Sequence, residues 1–392
     1  MYAFDSRRIV PGDTFICLPG GEKFCNEALK KGAKNIIHMT RKQLAVFAKE
    51  KYNHPDESLC IIGITGTNGK TSIAHFVHQA LLFLNKKSLL LGTITHPLTT
   101  MESLDNYAYF AKHLKQEGSH VVMEVSSHGI DQYRIEGISF NVRLCSNISR
   151  DHLDYHKTFE VYKKTKLSFL NQSSGISIYP NDILNTKLPF KSHLKGTFNQ
   201  QNLTAAYMIL KACNINQKDA IKALKQVNPV AGRFEWIPNA HNLSIIIDYA
   251  HTPDGLKGLL SDAKRFTKNK TGKLIVLFGC GGNRDSEKRA MMGAIADKQS
   301  SVIILSNDNP RHEDPEKIIS DIKTGIKSQT PIILPNRKKA IQYAFDILTT
   351  NDVLVIAGKG HESVQIIGNN KIPFSDKETS LEIIKQKYGY IN

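Results

Sequence analysis

The stretch IIGITGTNGKTSIAHFVHQAL, residues 61–81, changes character twice within a few positions. Ile61–Thr65 is a short apolar run of the kind that forms a buried strand. Gly66-Thr67-Asn68-Gly69 reads as a turn, and Lys70, Thr71 and Ser72 open a segment with the apolar spacing of a helix. A strand that ends in a glycine turn and re-enters as a helix gathers backbone N–H groups and the positive end of a helix dipole at one spot, which suits phosphate. On this reading residues 66–72 bind a nucleotide, the Lys70 ammonium neutralises its outer phosphates and the Thr71 hydroxyl is a ligand for Mg²⁺. The G-x4-GK-[ST] spacing is not kept, because Ile64 stands at its first glycine position. Placement between a buried strand and a helix carries the nucleotide reading over that of a bare turn.

Outward from this point the chain alternates strands and helices, which predicts α/β architecture with parallel sheets. Upstream lie one weak strand, TFICLPG, and the basic helical stretch RKQLAVFAKEKY, ending at NHPDES, which reads as a linker. LCIIGIT, SLLLGTI, HVVMEVS and VRLCSNI are buried-strand runs. A second series, LSIIIDYA, KLIVLFGC, SVIILSN and DVLVIAGKG, follows residue 235, with amphipathic segments such as PDGLKGLLSDAKRF and PEKIISDIKTGI between them. The expected organisation is a small N-terminal module (1–58), a central P-loop ATPase-type doubly wound domain (59–234) and a C-terminal Rossmann-like domain (235–392). Ligands of such sheets bind at the carboxyl ends of strands, where the polar motifs fall.

Composition narrows the class. With 392 residues, 41% hydrophobic and 22% charged, the chain has the makings of two or three globular domains. No apolar run approaches the ~20 residues of a membrane span, and the start MYAFDSRRIVPGD lacks a secretory core. The net charge of +16 is spread over a lysine-rich surface without a dense basic block, so an anionic metabolite is expected rather than nucleic acid. Six scattered cysteines without a CxxC pair argue against zinc and suit reduced thiols in a cytoplasm.

Further motifs fall at strand ends. HVVMEVSSHG leaves Glu124 after an apolar run, where a carboxylate suits Mg²⁺. SNISRDHLDYHKTFEVYKKTKLSFL supplies Asn147, Asp151, His152 and Lys166, and IIIDYAHTPDGL supplies Asp248, Tyr249 and His251. With GTNGKTS in this setting, the chain resembles the Mur ligases, which join amino acids to peptidoglycan precursors using ATP, and the resemblance covers nearly its whole length. It implies that Glu124 and His152 bind Mg²⁺ and that Lys166, rather than Lys163 or Lys164, carries a carbamate (N6-carboxylysine) that completes the metal site. It also implies that Asn199 and Asn202 of GTFNQQNLTAAY lie near adenine, that Arg233 of AGRFEW faces the phosphates, and that Asp248, Tyr249 and His251 complete the ATP site.

The same resemblance assigns the acceptor. Ser6, Thr99, Thr100, Ser126, Gln132 and Arg134 correspond to residues gripping a UDP-MurNAc-peptide, whose D-glutamate side chain attacks the ATP γ-phosphate to give an acyl phosphate. Asp308-Asn309-Pro310-Arg311 is the motif of family members that add meso-diaminopimelate. A guanidinium pairs bidentately with carboxylate, and diaminopimelate has a distal carboxylate that lysine lacks. Gly358 and Glu362 of AGKGHES match residues on the distal ammonium, and Arg284 of GCGGNRDSEKR is a further carboxylate partner. The enzyme is expected to act as a monomer on a UDP-sugar peptide and an amino acid, without nucleic acid or membrane insertion. Departures from the family pattern are a shortened N-terminal module, a shortened interval between Lys166 and GTFN, Met101 for a proline, Asn283 for an aspartate, and Glu287 and Ala290 for a glycine and a proline. Two alternatives remain: a ligase of the same chemistry for another acid or amine, separated by which substrates support ADP release, and a non-catalytic nucleotide- or nucleic-acid-binding descendant. The retained Lys70, Glu124, His152 and Lys166 argue against the second.

Overall fold

The apolar runs become three sheets in series in a computed structural model, which describes residues 1–171, 174–268 and 271–389. The N-terminal sheet contains β1 (Tyr2–Ala3), β2 (Thr14–Cys17) and β3 (Asn35–His38), all parallel, in the order β1-β2-β3. Sequence reasoning expected one strand here. β1 has two residues and β3 only two apolar ones, too little pattern to read without the pairing to β2. The helix Arg41–Lys51 begins at a capping box, in which Thr40 and Gln43 satisfy each other's backbone N–H groups. Leu44 and Ala48 of this helix pack into the same core as Tyr107 and Phe110. The expected linker NHPDES is instead anchored. Asp56 is buried and accepts from Lys49 Nζ and the Ser139 N–H, both at 3.0 Å.

The central sheet joins β4 (Cys60–Thr65), β5 (Ser88–Leu91), β6 (His120–Glu124), β7 (Val142–Cys145) and β8 (Ile176–Ile178) in the parallel order β5-β6-β4-β7-β8. Alternate residues of β4 enter different cores. Ile62 and Ile64 meet the helices Lys70–Phe83 and Thr197–Ala212, and Ile61 meets the helix Ser103–Lys115 and the N-terminal module. A sheet covered on both faces is what near-continuous apolar strands require.

The C-terminal sheet uses β9 (Glu235–Trp236), β10 (Ser244–Asp248), β11 (Leu274–Phe278), β12 (Val302–Leu305), β13 (Ile332–Ile333) and β14 (Val353–Ala357), in the order β13-β12-β11-β14-β10-β9, with only β9 antiparallel. β14 returns to lie between β10 and β11, which opens a crevice at the carboxyl ends. A hairpin, β15 (Val364–Ile367) and β16 (Asn370–Pro373), follows. The last helix, Asp376–Tyr388, is tied down by Asp376, which accepts from the fully buried Arg337 at 2.7 and 2.8 Å. Among the described residues no helix is long and apolar enough to cross a membrane.

Candidate active site

The carboxyl ends of β4, β6 and β7 face those of β10, β11, β12 and β14 across one cavity of about 740 Å³. Its phosphate-loop wall is built from neighbours in sequence. Gly69 precedes the helix Lys70–Phe83 at φ 88°, in the left-handed region that glycine tolerates. A Cβ on Gly66 would collide with Ser146 Oγ. The loop is pinned from β7: Ser146 Oγ donates to Asn68 O at 2.6 Å, the Asn68 N–H donates to Asn147 Oδ1 at 2.9 Å, and Asn147 Nδ2 returns a bond to Asn68 O at 3.0 Å. Lys70 Nζ folds back onto Gly66 O at 2.8 Å and Thr67 O at 3.0 Å. Burial lowers its pKa, against the pull of Glu124 and Asp151.

Glu124, only 1% exposed, accepts from Thr71 Oγ1 (2.9 Å), the Thr93 N–H (2.9 Å) and Thr93 Oγ1 (3.2 Å). All three donors are neutral, and among the described residues no cation forms an ion pair with it. A carboxylate buried among neutral donors, with no ion-pair partner among the described residues, is expensive unless a cation joins it, so the donor set fits a hard metal ion. His152 also lines the cavity, and burial pushes its imidazole down to about 3 against the pull of Asp151. That leaves a neutral ring, the form that binds metals.

Lys166 is buried, whereas Lys163 and Lys164 of the same helix are exposed. Its Nζ donates to Gly66 O at 2.8 Å and Thr65 Oγ1 at 3.3 Å, and among the described residues no carboxylate lies in ion-pair range. Burial and then the Lys70 charge hold its pKa well below the ordinary lysine range. Tyr162, one turn earlier, donates to or accepts from Thr67 Oγ1 at 2.8 Å, so this helix face is locked onto the phosphate loop.

Asp151 joins the two large sheets. His152 and Lys288 approach it at 3.4 and 3.6 Å, and His251 at 3.7 Å. Burial alone would raise its pKa, but His251, His152 and Lys288 outweigh that and hold the carboxyl well below its usual range. Further links across the cavity run from Arg233 Nη2 to Thr71 Oγ1 (3.2 Å), from Thr252 Oγ1 to Asn68 Oδ1 (3.3 Å) and from Arg150 to Asp285 (3.2 Å). The Arg233 guanidinium also stacks 4.3 Å from the Tyr249 ring centroid. Asp248 accepts from the Phe234 and Ala250 N–H groups, each at 2.7 Å, so its carboxylate braces the turn that carries Arg233. Burial raises its pKa against the Arg233 charge.

On the C-terminal side, Arg311 (φ 55°) is fixed by its N–H to Ile366 O, and its Nη1 donates to Gly282 O at 2.9 Å and Asn309 O at 3.3 Å. Burial and the nearby Arg284 lower its pKa, and among the described residues neither arginine forms an ion pair with an acid. Two like charges without an acid partner make a receptor for an anion. Glu362 accepts from Asn309 Nδ2 (2.7 Å) and the buried Lys359 Nζ (2.9 Å). Asp308 is buried, which raises its pKa against the Arg337 and Lys359 charges, and a Cβ on Gly358 would sit 2.5 Å from its Oδ2.

Of the residues singled out from sequence, Thr67, Asn68, Gly69, Lys70, Thr71, Ser72, Thr99, Glu124, Ser126, His152, Lys166, Asn202, Arg233, Asp248, Tyr249, His251, Arg284, Asp308, Asn309, Arg311, Gly358 and Glu362 line this cavity. Gly66, Asn199, Ser6, Thr100, Gln132, Arg134 and Pro310 stand outside that lining. The Asn199 amide donates to Lys195 O at 2.8 Å, at the start of its helix. Thr100, Gln132 and Arg134 form a rim cluster. Arg134 donates to Thr100 O (2.9 Å) and Gln132 Oε1 (2.7 Å) and pairs with Glu102 (3.3 Å), which also holds Arg41 of the N-terminal module (3.2 Å). Ser6 is buried at the start of a short 3₁₀ turn in that module. Sequence reasoning missed Thr93 and Lys288. Nothing local marks Thr93, whereas Lys288 lies four residues after Arg284, at the start of the helix Glu287–Gln299, and its basic character was there to be read.

Comparison with known proteins follows the same division. Residues 64–189 match the Mur ligase middle domain, and residues 232–360 the Mur ligase glutamate ligase domain. The UDP-N-acetylmuramoyl-L-alanyl-D-glutamate–2,6-diaminopimelate ligase of Clostridioides difficile is 34% identical over 459 aligned positions, covering 98% of this chain and 94% of that protein. The Aquifex aeolicus protein of the same name is 37% identical, covering 97% and 92%. A solved structure of a UDP-N-acetylmuramoyl-L-alanyl-D-glutamate–2,6-diaminopimelate ligase superposes over 99% of this chain and 95% of its own, with a TM-score of 0.61 at 26% identity. The MurF ligase of Thermotoga maritima in complex with ADP gives 0.67 at 16% identity over 98% and 97%, a likeness of fold.

Proposed function

The chain belongs to the Mur ligase family, and from that membership we infer an ATP-dependent ligase that adds meso-2,6-diaminopimelate to UDP-N-acetylmuramoyl-L-alanyl-D-glutamate in peptidoglycan precursor synthesis. The observation that carries the reading in this molecule is that one cavity is lined both by a phosphate loop and by Arg284 and Arg311, which form no ion pair among the described residues, beside Asp308 and Glu362.

A carboxylate is a poor acylating agent because its oxide is a poor leaving group. Transfer of the γ-phosphoryl to the D-glutamate side chain forms an O–P bond, releases ADP and leaves an acyl phosphate. The amine then forms the C–N bond as inorganic phosphate departs with the C–O electron pair. In this reading Lys70 and the Gly66–Ser72 backbone hold the phosphates, and Arg233 stabilises charge moving between them. Asn202, Asp248, Tyr249 and His251 shape the rest of the ATP site. Thr71, Glu124, His152 and the carbamate of Lys166 would hold Mg²⁺, which when bound supplies positive charge at the reacting phosphate. The carbamate fits the burial of Lys166, because a neutral amine is the form that adds to CO₂ and the product is an anion beside Lys70. Thr99, Thr100, Ser126, Gln132, Arg134 and Ser6 would bind the UDP-sugar peptide. Arg311 and Arg284 would bind the distal carboxylate of diaminopimelate, and Asp308, Glu362 and Gly358 its ammonium.

We place the domain limits at 1–58, 59–234 and 235–392, and expect a cytoplasmic monomer. The deciding assay is ADP release across a panel of acids and amines. Release should require both UDP-N-acetylmuramoyl-L-alanyl-D-glutamate and meso-diaminopimelate. Equal or faster release with another acid or amine would reject the assignment.

A further inference from the structure

Outside the ligase cavity, two thiols and an imidazole meet in the N-terminal module. Cys17 closes β2, His38 closes β3, and the two are direct partners across the parallel pair. Cys25 opens the helix Cys25–Lys30. Cys17 Sγ, Cys25 Sγ and a His38 ring nitrogen all lie within 4.8 Å of one another. Their spacing, C-x7-C-x12-H, hides this from sequence, and the expectation that the cysteines are scattered holds only along the chain. Tetrahedral ligands on a zinc ion at ~2.3 Å lie roughly 3.7 Å apart, so the trio needs to close by only about 1 Å. Two thiols and an imidazole are a soft donor set, chosen by zinc over Mg²⁺. The donors are graded in depth: Cys17 is buried, Cys25 half-buried and His38 exposed. Glu22 lies near enough to interact electrostatically with both Cys17 and His38.

The module also has a use for such a clip. Its private core is only Ala3, Ile9, Phe15, Cys17, Ala28 and Ala33. Cores that small are commonly reinforced by a metal or a disulfide. We propose that Cys17, Cys25 and His38 bind a single thiophilic divalent cation, zinc by preference, that staples the ends of β2, β3 and the Cys25 helix. A Cys17–Cys25 disulfide is the competing use of the same sulfurs.

The test uses the full chain, stripped with chelator under reducing conditions and titrated with Co²⁺ and then Zn²⁺. Binding should give a near-ultraviolet thiolate-to-cobalt charge-transfer band that saturates at one equivalent and is bleached by zinc. Zinc should raise the melting temperature by several degrees. Cys25→Ser and His38→Ala change the half-buried and the exposed donor and leave Cys17, which packs in the core, in place. Each should weaken binding at least tenfold, Cys25→Ser should dim the band, and each should abolish the thermal gain, with circular dichroism unchanged. Absence of the band, a band untouched by Cys25→Ser, or a Cys17–Cys25 disulfide in freshly purified protein that takes up no metal after reduction would each overturn the site.

Discussion

Replacing Arg311 with alanine tests the amine assignment most directly. In the free protein the guanidinium is already half-buried beside Arg284, so binding need not bear the full cost of desolvating it. Nη1 is occupied by Gly282 O and Asn309 O, which leaves the other edge of the fork for a ligand. Two charge-assisted hydrogen bonds are worth ~1.5–3 kcal/mol each, and part of that gain is spent in ordering the ligand. A net loss of about 2–4 kcal/mol is expected, or roughly 30- to 1,000-fold in kcat/KM for meso-diaminopimelate. Lysine has no distal carboxylate to lose, so its kcat/KM should change only a few-fold and the preference between the amines should collapse. The backbone does not confound the comparison. At φ 55° alanine and arginine carry the same left-handed strain, so the melting temperature should hold. Arg311→Lys keeps the charge without the fork and should recover only part of the loss. KM for ATP should not move. An equal loss for both amines, or a wild-type preference for lysine, would refute the reasoning.

Three further outcomes follow from burial. Wild-type protein equilibrated with ¹³C-bicarbonate should show a carbamate carbon signal that Lys166→Met lacks and Lys163→Met keeps; an active enzyme without the signal rejects the modification. Burial pushes His75 down to about 4 from an ordinary 6.5, so between those values the unfolded state binds more protons. Its stabilisation is therefore complete above pH 6.5 and is lost as pH falls toward 4, on the order of 2 kcal/mol, and urea unfolding of His75→Gln should show a flatter pH profile than wild type across that window. Arg337→Met strands the buried Asp376 carboxylate and should cost about 3–5 kcal/mol in urea unfolding, with much of it recovered by adding Asp376→Leu; no recovery would place the cost in packing rather than charge.

What could be read from sequence and what could not divide along one physical line, the distance over which a signal is written. Most strands of the two large sheets were legible because a short run of consecutive apolar residues needs no partner to be recognised. β1, β3, β8, β9 and β13 were not, because a two-residue strand, or one with two apolar side chains, is defined by the neighbour it pairs with. The same holds within the site. The phosphate loop is contiguous, so Gly66 to Ser72 announce themselves. Lys166 was chosen over Lys163 and Lys164 because its spacing from His152 and Tyr162 matches the family pattern, and Tyr162 and Lys166 both prove buried on one helix face. Thr93 binds Glu124 across 31 positions, and Arg150, the neighbour of Asp151, reaches Asp285 across 135, so neither contact leaves a local trace. Cys17, Cys25 and His38 are the limiting case. Their proximity is a consequence of register, since sliding β3 by one residue against β2 would turn His38 to the other face of the sheet. A site of that kind is encoded in strand pairing rather than in spacing. Metal binding there would in turn favour the register that creates it, because the ion can be held only when β2 and β3 are aligned as they are.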